Sequence, residues 1–153
     1  MIARSPILLS FGIFGLLNSS DSMLSTSIAV SLGAIPGALS RYYLTVLLSR
    51  WLGDDFPYGT FSINLTGSLL MGFFATLAIE HFITSLELQL LITTGFLGSY
   101  TTFSTYALDT SVLLRGRNRA KALFYWLGSS ILGGICLGIG VAFAKLLLWR
   151  TVS

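Results

Sequence analysis

The chain has 153 residues and a formal net charge of +3, yet only 10% of it is Asp, Glu, Lys or Arg, against about 25% in an ordinary soluble domain. Apolar residues make up 54% and the mean hydropathy is +0.81, so there is too little charge to cover a water-facing surface, which argues against a soluble enzyme. One cysteine, Cys136, and one histidine, His81, exclude an intrachain disulfide and a multi-ligand structural zinc site.

Uncharged runs occupy residues 22–40, 56–79, 88–108 and 122–144. A helix needs about 20 apolar residues to cross a ~30 Å hydrocarbon core, so the pattern predicts four membrane spans. Ahead of them, residues 7–17 form a shorter apolar segment between Arg4 and the polar stretch 18–22. It is read either as a signal-like element or, with Met23 as the true start, as an upstream extension. The expected organisation is an N-terminal extension at 1–22 of no assigned role and a four-helix domain at 23–153.

The first span is expected over about 25–51, where Gly33 and Gly37 have the small-xxx-small spacing that lets another helix backbone approach and Pro36 is a candidate kink. Trp51, Phe56 and Tyr58 flank Asp54 and Asp55 in the next loop, an arrangement typical of headgroup level. The second span, about 59–79, contains Asn64 followed by Thr66, Gly67 and Ser68, and ends at Glu80 and His81. An Asn at membrane depth must find a partner or face water. His81 reads as a solvated interfacial residue.

The third span, about 87–114, contains two glycines three apart, Gly95 and Gly98, among hydroxyl and aromatic residues. That composition predicts a break near the membrane centre, which is tolerated only where the backbone is buried in protein or lines a wet cavity. The fourth, 122 to about 148, carries Tyr125, Ser129, Ser130 and Gly128, Gly133, Gly134, Gly138 and Gly140, the composition of a helix packed tightly on helices; Cys136 within it reads as a small packing residue. Arg50, Arg115, Arg117, Arg119 and Lys121 fall on one side, against Lys145 and Arg150, or three with Arg4, on the other. The positive-inside rule then places both termini outside and the basic loop in the cytoplasm. The same loop accounts for the sequence pI near 9.3, so the basic balance is an orientation signal and no nucleic-acid partner is expected.

Within the spans the polar set is Arg41, Asn64, Ser68, Thr101, Thr102, Ser104, Thr105, Asp109, Tyr125 and Ser129. Apart from Arg41, which either serves function or snorkels to the interface, these are almost all neutral donors, with no pair of embedded carboxylates to carry protons. Donors without bases suit a small anion, whose water must be replaced by N–H, O–H and the positive edges of aromatic rings such as Phe103 and Tyr106. The same residues equally serve as interhelical hydrogen-bonding glue.

The segments at 33–42 (GAIPGALSRY), 59–68 (GTFSINLTGS) and 95–105 (GFLGSYTTFST) resemble those of the Fluc (CrcB) fluoride channels, in order and over most of residues 23–150. The resemblance implies an all-α membrane protein of four transmembrane helices per subunit, the third broken, assembled as an antiparallel, dual-topology dimer in the inner (plasma) membrane. It implies passive, selective export of cytoplasmic fluoride, past a pathway of Asn64, Phe103, Tyr106, Ser104, Thr105, Tyr125 and Ser129 with Arg41 near the vestibule. It also implies a structural sodium ion shared between subunits and held by the backbone carbonyls of Gly98 and Thr101. Three positions depart from the family pattern: Tyr106 replaces a second Phe, Ala107 a frequent Ser, and Asp109 a common Glu. The Tyr106 hydroxyl is placed to donate to the ion or deepen its well. The charge bias raises a heterodimer with a paralogue, in which this chain is one half or a non-conducting accessory. A proton-coupled multidrug exporter is the competitor from another class, and it needs a carboxylate deep in the first span, where none occurs between Asp21 and Asp54.

Overall fold

The computed structural model describes residues 6–116 and 118–152; Arg4 and Arg117, counted above with the basic charges, lie outside the described residues. Among the described residues every element is helical: α1 Pro6–Leu52, α2 Tyr58–Ile79, α3 Leu86–Leu90, a π-helical stretch Leu91–Leu97, α4 Gly98–Tyr100, α5 Phe103–Arg115 and α6 Arg119–Val152. Among the described residues three stretches are long and apolar enough to cross a membrane unbroken: Ser22–Leu52 with 31 residues, Tyr58–Ile79 with 22 and Arg119–Arg150 with 32. At 1.5 Å per residue these are about 47, 33 and 48 Å long, so the outer two exceed a ~30 Å core by several turns.

Helix α1 runs without interruption from Pro6 through the apolar segment 7–17 and the polar stretch 18–22 and past Pro36. Asn, Ser and Asp are weak helix formers but not breakers, and a proline costs one hydrogen bond without ending a long helix. The third span is broken, as expected: it is the succession α3, π stretch, α4 and α5, interrupted at Thr101 and Thr102.

The glycines are there for close approach. A Cβ at Gly33 would meet the Leu91 carbonyl oxygen, one at Gly37 the Ser99 hydroxyl and the Phe96 carbonyl, and one at Gly95 the Val30 carbonyl. The α1 backbone therefore lies directly against the π stretch, as the spacing of Gly33 and Gly37 predicted. Ser99 reinforces the seam, with its hydroxyl 2.7 Å from Gly95 O and 3.0 Å from Ala34 O on α1. Along α2 and α6, Gly72 faces the Leu137 carbonyl and Gly140 the Leu69 carbonyl in the same way.

The expectation for α6 holds in part only. Gly140 packs closely, Gly133 has one neighbour at 3.5 Å, and Gly134 and Gly138 have no neighbour within 4 Å. Most large apolar side chains, among them Leu32, Ile35, Leu39, Leu123, Ile131 and Phe143, are exposed on the single chain. In water such a surface would aggregate, whereas in hydrocarbon it is the expected lipid face. The enclosed core is small and lies where α2, α5 and α6 meet, around Ile63, Tyr106 and Tyr125.

α2 ends in a turn that brings the chain back toward α3. His81 adopts φ 58°, with His81 N donating to Ala78 O at 3.2 Å and Phe82 N to Leu77 O at 2.9 Å, the left-handed helix stop usually taken by glycine. Ser85 then caps α3, its Oγ accepting from Leu88 N.

Candidate functional site

The site is organised around the interruption between α4 and α5. Thr101 (ψ 159°) and Thr102 (φ −150°, ψ 120°) are extended, so the helical ladder lapses and its polar groups need other partners. Asn64, on α2, supplies two of them: its Nδ2 donates to Thr102 O at 3.1 Å and its Oδ1 accepts from Thr102 N at 3.0 Å. Thr102 caps the new helix, its Oγ1 accepting from Thr105 N at 3.3 Å and donating to Thr105 Oγ1 at 3.0 Å.

These bonds decide which carbonyls lose their helical donors. In an unbroken helix the Thr102 amide would donate to Gly98 O and the Thr105 amide to Thr101 O. The first goes to Asn64 and the second to the Thr102 hydroxyl. Gly98 and Thr101 are thus left as acceptors on either side of the break.

Asn64, Phe103 and Tyr106 come together, with Gly67, Ser68, Met71, Thr101, Thr102 and Leu137, around a cleft of about 290 Å³. No carboxylate lines it. Gly67 is what lets the break approach α2, since a Cβ there would strike the Thr101 methyl group. The Asn64 side chain is half-buried, Tyr106 is buried, and Phe103 is 80% exposed, standing clear of its own subunit. The Phe103 and Tyr106 rings are 5.9 Å apart at 47°.

The Tyr106 hydroxyl, expected to reach the ion, is committed elsewhere. It donates to Trp126 O on α6 at 2.7 Å and lies 3.3 Å from Ser130 Oγ. Its ring edge therefore remains at the cleft while its single proton is withdrawn from it.

A second cleft of about 240 Å³ lies toward the basic end, lined by Thr45, Ser49, Asp54, Thr60, Thr105, Asp109 and neighbouring apolar residues. Thr102 borders the first cleft and Thr105 the second, and their hydroxyls are hydrogen-bonded to each other. Behind Thr105, the fully buried Tyr125 donates to Asp109 Oδ2 at 3.1 Å, and its ring centre lies 5.4 Å from that of Tyr106 at a 44° tilt. One turn further along α6, Ser129 Oγ is buried with no hydrogen-bond partner. An unpaired buried hydroxyl costs roughly 1–3 kcal/mol.

Of the remaining sequence-derived residues, Ser104 is exposed and touches the site through Thr102 Oγ1 at 3.3 Å. Arg41 is half-buried on α1, lines neither cleft, and has no side-chain partner among the described residues. Three contributions were not foreseen from the sequence: Thr60, buried beside the second cleft; the hold of Asn64 on the Thr102 peptide; and the approach of Ser130 to the Tyr106 hydroxyl. Each belongs to a contact spanning 20 residues or more, or is a hydroxyl like many others in the chain, so no local signal marks it.

Comparison with known proteins shows the family. Residues 28–141 match the family described as CrcB-like protein, Camphor Resistance (CrcB). A protein of Trichormus variabilis named fluoride-specific ion channel FluC is 59% identical over 120 residues, which are 78% of this chain and 88% of that one. Proteins of the same name from Synechococcus sp. and Synechocystis sp. are 51% and 47% identical, each over 122 residues, 80% of this chain and 92% and 94% of theirs. With three helices able to span a bilayer, a broken helix packed among them and a family match over most of its length, the chain is a multi-pass membrane protein belonging to the CrcB family.

Proposed function

We propose that this chain is a subunit of a fluoride-selective channel that lets cytoplasmic fluoride leave the cell passively across the inner membrane, driven by its gradient and the membrane potential. The observation that carries this reading is the first cleft: Asn64, Phe103 and Tyr106 meet there with hydroxyls and no carboxylate. Such a lining compensates a desolvated anion and has no group to carry protons. The names of the relatives point the same way.

In this mechanism fluoride exchanges water for the second Asn64 Nδ2 hydrogen and the ring edges of Phe103 and Tyr106. It then passes the hydroxyls of Thr102, Ser104 and Thr105 toward Tyr125 and the unpaired Ser129 hydroxyl. Neutral donors make entry favourable without holding the ion too tightly to leave. Arg41 acts at a distance, raising the local concentration of anions near the mouth.

The stretch Leu86–Arg115 provides the fourth crossing, broken at the middle, and the functional unit is an antiparallel dimer. Its support is the outward Phe103 side chain and the uncovered Gly134 and Gly138, which leave both the pathway and α6 unfinished in one chain. A sodium ion suits the Gly98 and Thr101 carbonyls, since a hard cation prefers oxygen ligands and both have lost their helical donors. Bound there, it would neutralise converging carbonyl dipoles, a structural task.

Purified protein in liposomes, read with a fluoride electrode, tests the proposal. Rapid fluoride release with chloride retained is expected, from this chain alone or once an oppositely biased paralogue is added. Vesicles that hold their fluoride in both conditions overturn it, and proton-linked uptake of an organic cation would instead establish an exporter.

A further inference from the structure

The side chain of Asn64 is occupied by backbone before any ion arrives. We propose that Asn64 is a positioning residue for the helix break, and that by holding the Thr102 peptide it keeps the Gly98 carbonyl open to a cation; this rests on the channel reading given above. A primary amide is the one neutral side-chain group that offers a donor and an acceptor side by side to a single peptide. Here both are used on Thr102, at 3.1 and 3.0 Å.

The consequence follows from hydrogen-bond accounting. Thr102 is buried, so its N–H cannot be left without a partner. Without the Asn64 oxygen the nearest remedy is to wind the chain on by one residue and return that N–H to Gly98 O, as in a continuous helix. Thr101 O is governed separately, by the Thr102 hydroxyl that takes the Thr105 amide. Asn64 therefore controls one carbonyl of the pair and Thr102 the other.

Because Nδ2 carries two hydrogens and one is given to Thr102 O, the other remains for the cleft that Asn64 lines. One side chain thus links two sites of opposite charge. Its oxygen shapes a cation cradle through the backbone, and its nitrogen serves the anion directly.

The two roles separate by substitution. Asn64→Asp keeps an oxygen for the Thr102 N–H but places a carboxylate in the cleft, whereas Asn64→Leu removes both ends of the clamp, and Asn64→Ala does so with less bulk should the leucine variant prove too unstable to purify. Two readouts are taken on each purified protein: fluoride flux from liposomes, and the rise in unfolding midpoint when sodium chloride replaces N-methylglucamine chloride in detergent. Wild type is expected to show both flux and the sodium rise. The Asp variant should lose flux and retain the rise; the Leu or Ala variant should lose flux and the rise together while keeping its helical circular dichroism.

A Leu or Ala variant with the full wild-type sodium rise overturns the proposal, since Asn64 would then act on the anion alone. An Asp variant that loses the rise along with flux overturns it too, because the retained oxygen would not be holding the break. Wild type with flux but no sodium response overturns the proposal and the cation site while leaving the channel intact. Wild type without flux, alone or with a paralogue, removes the channel reading itself.

Discussion

Ser129→Ala should make the protein more stable and less active, and the opposed signs are what make it informative. The hydroxyl is buried with its oxygen unpartnered, a condition that costs roughly 1–3 kcal/mol relative to a paired or solvated group. Replacement by a methyl group removes that penalty and loses little packing, so a gain of about 1 kcal/mol is expected. For a chain of this size that corresponds to a rise of about 2–4 °C in the unfolding midpoint, readable by tryptophan fluorescence in detergent micelles. Fluoride flux from liposomes should fall, because an ion leaving the Tyr106 and Tyr125 region would lose the next donor on α6. A lowered midpoint would show that the hydroxyl has a structural partner in the assembled protein, and unchanged flux would remove it from the pathway. Either result refutes the view that the chain sacrifices stability there to keep a donor available.

Tyr106→Phe should move stability the other way, lowering the midpoint by the equivalent of about 1 kcal/mol, since the bond to Trp126 O at 2.7 Å is lost; an unchanged midpoint in the same assay would mean that the hydroxyl faces the cleft. Gly140→Ala should disrupt the α2–α6 seam, because its Cβ would meet the Leu69 carbonyl and, at 2.9 Å, the Phe73 nitrogen, whereas Gly138→Ala, with nothing within 4 Å, should leave the folded chain intact. Equal helical circular dichroism on heating for the two variants, read on each single chain in denaturing-strength detergent, would contradict the α2–α6 packing described. His81→Gly should stabilise the end of α2 by about 0.5 kcal/mol by relieving the left-handed conformation at φ 58°. A lower unfolding midpoint would show that the histidine side chain contributes more than the backbone strain costs.

Three of the four expected membrane-spanning elements were legible because charge is excluded from hydrocarbon, and that exclusion is written directly into the uncharged runs. The interruption was legible too, from the composition of residues 95–105, although Gly95 and Gly98 themselves are helical and Gly95 is used for contact with the Val30 carbonyl of α1. What stops the helix is a pair of threonines that are common inside helices elsewhere, and what makes stopping favourable is an asparagine 38 positions away. The π stretch was hidden for a related reason: its register is set against Gly33 and Gly37 on another element, and neighbour-to-neighbour propensity carries no record of that.

The site was recovered in its membership more than in its roles. Asn64, Phe103 and Tyr106 were chosen as donors and ring edges, and they do share a cleft, but two of the three spend polar groups on the scaffold. The Tyr106 hydroxyl binds α6, and the Asn64 amide holds the break. A residue in such a cleft must be fixed before it can discriminate between ions, and in a bilayer the protein itself must supply the groups that fix it: the Trp126 carbonyl for Tyr106 and the Thr102 peptide of the broken helix for Asn64. The interruption that creates the site thus also supplies the hydrogen bonds that orient Asn64, so at this residue the anion path and the break are coupled, and they separate only at the two ends of its side chain.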